Sequence, residues 1–310
     1  MKIPFEILIE DTALNVIMPD LTINPIHNKS LLSIINDYED KEWRYKIFSQ
    51  FIWNSISLDA ITKEERDSLI YSPDSILEKA ASRLRILTYK NGEDEYTGGE
   101  IAEILLYGIM QNYYNALSIV PKIFYKQNKN DYAKGADSVH IVVEGDDVFS
   151  LWLGEAKFYK SINNSDIDKI IDSVNNMLSS EKIRKENSII TGLSEFEKYD
   201  ISDSLKKNIK NILNDDISID KIKPLLHIPI LLLYECDITA STEELTDDYK
   251  LQIISTHKEK AREYFSKQID KCKSIPKYSE IKFHLILFPV PDKRKIVERF
   301  IKRAKELRDE

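Results

Sequence analysis

The segment "SVHIVVEGDDVFSLWLGEAKFY", residues 138–159, constrains the fold more than any other part of the chain. Two arms rich in β-branched and aromatic residues flank Gly145, Asp146 and Asp147, the residue types that a tight reversal demands. The reading is a β-hairpin. Its second arm opens with an almost unbroken apolar run, "VFSLWL", and then ends "GEAKFYK", with a carboxylate and an ammonium two residues apart. Side chains alternate along a strand, so Glu155 and Lys157 share one face while Gly154, Ala156 and Phe158 point the other way. Arms of about nine residues on either side of the turn place Asp137 opposite Glu155. Two carboxylates and a lysine thus converge at one end of a sheet.

The surrounding pattern supplies the rest of an α/β fold. Upstream, "TGGEIAEILLYGIMQNYYNAL" carries Ile101, Ile104, Leu105, Gly108 and Ile109 on one side and reads as a helix. "SIVPKIFYK" reads as a strand with Pro121 at an edge or early position, and the polar loop "QNKNDYAKGAD" leads into the hairpin. Downstream, Ser165 with Asp168 three residues later marks a helix start, and Ile167, Ile170, Ile171, Val174 and Leu178 form one apolar stripe. The order is helix, three strands, helix. Residues 181–222 are polar, with one helical stretch, and read as an insertion. "LLHIPILLLYE", residues 225–235, has the length of a fully buried strand, although periodicity alone leaves a helix open. As a strand it is the fourth of the core. A long charged helix from about Thr242 to Lys273, a fifth strand "IKFHLILFPVP" and a basic terminal helix follow.

Before Thr97, an opening strand "FEILIE" precedes helices. Ser72 and Pro73 fit an N-cap and first-turn proline, with Ile76, Ala80, Leu84 and Leu87 at helical spacing. The expected organisation is a mostly helical N-terminal lobe over residues 1–95, joined through the acidic "YKNGEDEY" to an α/β domain over residues 96–310.

Composition narrows the class. At 310 residues and 42% hydrophobic content the chain can bury a full core, and 8 Gly with 10 Pro exclude a collagen-like or low-complexity chain. Cys236 and Cys272 stand far from any zinc-binding spacing and are too few for a disulfide framework, which points to a reducing, cytoplasmic setting. Acidic residues interrupt the N-terminus where a secretory signal needs an apolar run, and no segment reaches the ~18 apolar residues of a membrane span. The net charge of −8 provides no global basic field for nucleic acid. Any such contact is local or comes through a partner. The most basic segment is "DKRKIVERFIKRAKELRDE", with eight Lys and Arg against five acids, the pattern of a solvated helix face.

The converging charges at Asp137, Glu155 and Lys157 suit phosphodiester hydrolysis. Two carboxylates can hold Mg²⁺, a hard cation that prefers oxygen ligands and keeps several waters, with Mn²⁺ as a substitute. The metal neutralises the scissile phosphate and acidifies a water, while the ammonium orients the nucleophile or stabilises the charge that builds up. A Glu and a Lys two apart on a strand are also a common surface ion pair. The pairing with Asp137 across a hairpin, behind a helix carrying Glu100 and Glu103, is more specific.

Asp137 followed by Glu155, Ala156 and Lys157 resembles the D…ExK signature of the PD-(D/E)xK nuclease superfamily. Its restriction-endonuclease-like core, a mixed α-β-β-β-α-β sheet flanked by helices, is similar in order to residues 97–235. The resemblance implies a further metal-binding glutamate on the first helix, a role open to Glu100 or Glu103. Ala136 stands where the signature has proline, a variable position. More narrowly, "TGGEIAEILLY", "KGADSVHIV", "LWLGEAKFYK" and "HLILFPVPDK" resemble the HamA family, nuclease subunits of the Hachiman anti-phage defence system. That resemblance implies a metal-dependent DNase acting beside a superfamily 2 helicase, HamB. An inactive nuclease-fold module that docks a helicase and DNA is the alternative.

Competing readings attach to several residues. Glu100 can instead close a capping box with Thr97. His140, mid-strand, reads as a satisfied core or supporting histidine, and Asp146 and Asp147 as turn residues. Tyr159, Lys160 and Lys169 follow the site closely enough to touch phosphate. The chain has no GxxxxGK[ST] motif, which assigns ATP chemistry to a partner.

Overall fold

The computed structural model describes residues 3–85, 98–127, 135–192 and 194–308. Its strands are β1 (Glu6–Ala13), β2 (Lys29–Ile35), β3 (Tyr38–Glu39), β4 (Glu42–Trp43), β5 (Leu117–Val120), β6 (Ser138–Val143), β7 (Phe149–Tyr159), β8 (Leu226–Glu235) and β9 (Lys282–Val290). Its helices are α1 (Leu14–Ile17), α2 (Tyr45–Ala60), α3 (Lys63–Ser68), α4 (Pro73–Ser82), α5 (Gly99–Asn112), α6 (Lys122–Gln127), α7 (Asn164–Met177), α8 (Ser180–Gly192), α9 (Asp203–Ile212), α10 (Ile219–Ile222), α11 (Asp237–Ala240), α12 (Asp247–Cys272) and α13 (Lys293–Leu307).

Seven strands form one mixed sheet in the order β1-β2-β9-β8-β7-β6-β5. The middle of the sheet is parallel: β2 with β9, β9 with β8, and β8 with β7. The two ends are antiparallel. Parallel strands need cover on both faces, which explains why β7, β8 and β9 read as nearly continuous apolar runs. On one face Leu151 and Leu153 of β7, Ile228 and Ile230 of β8 and Leu285 of β9 pack with α7, α8, α9 and α12. On the other face Trp152, Leu231 and Phe288 pack with α2, α4, α5 and α13. Among the described residues, no helix is long and apolar enough to cross a membrane.

The α/β expectation holds, with α5, β5, β6, β7, α7 and β8 in the expected order. Four details differ. "KIFYK" does not continue β5 but turns into α6, whose first turn is closed by Tyr125 N–H donating to the carbonyl of Pro121 at 3.2 Å. The fixed φ of proline suits that entry into a helix. Helix α7 begins earlier than Ser165: Asn163 is its cap, in a reciprocal box with Asp166. Residues 181–222 hold two full helices, and Ile183, Ile190, Phe196, Leu205 and Ile209 are buried against the sheet, so the segment covers the core rather than standing off it. The region before residue 95 contributes its helices α2 to α4 and also two strands, β1 and β2, to the main sheet. The "YKNGEDEY" joint, Leu87 and Thr97 lie outside the described residues.

Candidate metal and nuclease site

Hairpin register delivers the site. Ser138 pairs with Gly154 and Val143 with Phe149, and the N–H of Asp137 donates to the Gly154 carbonyl at 2.8 Å, so Asp137 comes opposite Glu155. Glu155 and Lys157 extend the same face as Leu151 and Leu153, just past the last apolar pair of that row. Gly154 points to the opposite face, where a Cβ would lie 2.2 Å from Ser138 Oγ and 2.8 Å from Leu106 Cδ2. A glycine is what lets α5 approach this strand.

The three predicted side chains meet. Lys157 Nζ donates to Asp137 Oδ2 at 3.0 Å and lies 2.6 Å from Glu155 Oε1. It also donates to the Ala156 carbonyl at 3.2 Å, while the Ala156 N–H donates to Asp137 Oδ2 at 3.1 Å. Ser173 Oγ, on α7, donates to Glu155 Oε1 at 2.7 Å. The side chains are graded in exposure: Glu155 3%, Asp137 19% and Lys157 35%. One carboxylate is therefore rooted in the core, while the others of the trio reach solvent.

The electrostatics follow from that placement. Burial raises the Glu155 carboxyl above its usual range, the nearby charge of Asp137 raises it further, and Lys157 with Ser173 opposes both without cancelling them. Burial alone would lower the Lys157 ammonium, but the attraction of Asp137 and Glu155 outweighs it and holds the group above its ordinary value. Two carboxylates facing a single ammonium leave an excess of negative charge. The donors are hard oxygens, and this combination fits a divalent cation such as Mg²⁺.

Glu100 is placed differently. It is buried on α5, and both its carboxylate oxygens accept the backbone N–H of Arg85, at 3.1 and 3.2 Å. Glu103 is buried on the same helix. Among the described residues, no three His, Cys, Asp or Glu side chains gather at one point. The cap of α5 is Gly98, with φ of 78°.

His140 lies in the core, fully buried and edge-on to Tyr107 with ring centroids 4.6 Å apart. It is not satisfied as expected, since neither ring nitrogen has a hydrogen-bond partner among the described residues. Lys169 is largely exposed and lies 3.6 Å from Asp166. Two supporting residues escaped the sequence reading: Ser173, and Glu186 of α8, whose carboxylate accepts the Ala136 N–H beside Asp137 at 3.0 Å. A signal existed for both. Ser173 lies three residues after Ile170 and four before Met177, and Glu186 lies three after Ile183 and four before Ile190, so each polar residue interrupts a buried stripe.

A family model described as HamA matches residues 12–304. Comparison with curated proteins finds no match.

Proposed function

The chain belongs to the HamA family, components of Hachiman anti-phage defence, and from that premise we propose that it is the system's metal-dependent deoxyribonuclease, cutting phosphodiester bonds beside a superfamily 2 helicase, HamB. The observation that carries this reading is the meeting of Asp137 Oδ2 and Glu155 Oε1 at the single ammonium of Lys157. Folding alone gives no reason to set two carboxylates together at the edge of a core, because their repulsion opposes it.

Asp137 and Glu155 are the residues that would hold Mg²⁺ or Mn²⁺, with Glu100 proposed as an auxiliary ligand. Such a cation supplies Lewis acidity toward the scissile phosphate and a more acidic water. The chain's own groups do the positioning. Ser173 fixes the Glu155 carboxylate, the Ala156 N–H fixes Asp137, and the Lys157 ammonium, reachable from solvent, donates to a phosphate oxygen as charge accumulates there. Basic α13 begins beside this strand, with Lys293 Nζ donating to the Phe158 carbonyl at 2.7 Å, which supports a local phosphate contact next to the site.

The test is cleavage of supercoiled plasmid by the purified chain, with and without the neighbouring helicase, in Mg²⁺, Mn²⁺, Ca²⁺ or excess chelator. Nicking or linearisation is expected with Mg²⁺ or Mn²⁺, little turnover with Ca²⁺, and none in chelator. Plasmid left intact by every assembly would favour the inactive docking module, and full activity in chelator would exclude a metal-dependent reaction.

A further inference from the structure

Asp137 enters the site at the end of a segment whose backbone is gripped from a part of the chain that the hairpin does not include. The Ala136 N–H donates to Glu186 Oε1 at 3.0 Å. Glu186 also receives Lys122 Nζ on both oxygens, at 2.9 and 2.8 Å. The pair is closed to solvent, with side-chain exposures of 0% for Lys122 and 1% for Glu186. Gly135 completes the contact: a Cβ there would stand 1.9 Å from Glu186 Oε1, so any larger residue would push the Glu186 carboxylate from its place at the Ala136 N–H. One residue further on, Asp137 is held from the other side by the Gly154 carbonyl.

A buried ion pair is a poor device for stability, since an apolar replacement of similar volume is often neutral or better. What an apolar pair cannot do is accept the Ala136 N–H. A carboxylate can take both Lys122 and a backbone donor at once, and a charged acceptor makes the stronger bond. Ala136 can make this bond, whereas a proline there would have no N–H to give.

We infer that Glu186, anchored by Lys122, is a positioning residue for Asp137, fixing the backbone at Ala136 and so the point at which the Asp137 carboxylate meets Glu155 and Lys157. This rests on the proposed role of Asp137 as a metal ligand. It also gives the segment after α7 a functional part, through α8, besides covering the sheet.

Two double variants separate positioning from stability. Lys122→Met with Glu186→Gln removes the buried charges but keeps an amide oxygen for Ala136; Lys122→Met with Glu186→Leu removes the acceptor as well. Ca²⁺ affinity by calorimetry, exchange of the Asp137 amide by NMR and melting temperature are compared for both, with plasmid cleavage in Mg²⁺ alongside. The Gln pair should keep wild-type affinity and exchange. The Leu pair, still folded, should bind Ca²⁺ about 10–100-fold more weakly and exchange Asp137 faster. Glu186→Asp, one methylene short of Ala136 yet still charged opposite Lys122, should show the same loss should a double variant fail to fold. Equal affinity and exchange in the Leu and Gln pairs, or an unchanged Glu186→Asp, overturns the inference. A wild-type chain that cuts no DNA counts against the nuclease reading alone, since amide exchange still judges Glu186.

Discussion

His140, His227 and His257 are each buried, and burial pushes their pKa values down to about 3, 2 and 3. The neighbouring His284 and Lys282 add to this at His227, and Lys260 at His257. In the unfolded chain each titrates near the ordinary value of about 6.5. Below that pH the unfolded state binds protons that the folded state refuses. The stabilisation is therefore complete above about pH 6.5 and is lost progressively toward about pH 3, each histidine removing about 1.4 kcal/mol per pH unit within the window. Melting temperature should fall steeply below about pH 6. His140→Leu should reduce that slope at little cost near neutrality, because both ring nitrogens it removes lack partners among the described residues. A melting profile unchanged down to about pH 4.5 would contradict this account of the core. Glu100 poses a separate question at the same scale. As a metal ligand, its change to Gln should weaken metal affinity severely; as a structural group that holds the Arg85 N–H, it should cost about 1 kcal/mol of stability and little chemistry. Metal titration and thermal melting of Glu100→Gln distinguish the two.

Gly154 controls how α5 and the hairpin fit together. Gly154→Ala forces a methyl against Ser138 Oγ and Leu106, a clash that should cost about 1–3 kcal/mol without altering the residues of the site. Denaturant melts measure it, and a neutral result would mean that α5 can retreat. Elements with a strong local signal were legible in the sequence: the hairpin with its Gly145 turn, the stripe of α7, and the apolar runs of β8 and β9. The Asp137–Glu155 pairing was legible because a two-residue period and a short turn fix register. Other features were decided at long range. The burial of residues 181–222 depends on a sheet face that their sparse apolar residues cover only collectively. Strand β2 joins the sheet through β9, which follows it by some two hundred and fifty residues, and its own seven residues carry no turn partner to announce the pairing. Glu186 was hidden for the same reason, since its meaning lies in Ala136, fifty residues earlier.

As a whole molecule the chain carries a net charge of −8, which opposes the approach of DNA, whose affinity for proteins comes largely from neutralised phosphates and released counterions. The isolated chain should bind duplex weakly at physiological salt, and a complex with the proposed helicase partner should bind far better. Electrophoretic or anisotropy titrations across salt concentration test this, and tight, salt-resistant binding by the chain alone would sink the argument that a partner delivers the DNA. The proposed function assigns DNA hydrolysis to Asp137, Glu155 and Lys157. Its most direct measurement is the rate of plasmid cleavage in Mg²⁺ by the assembled wild-type protein against Glu155→Ala and Lys157→Ala, each first shown to fold by circular dichroism and melting. Both variants are expected to lose cleavage while remaining folded. Either one cutting at close to the wild-type rate would place the chemistry elsewhere in the protein.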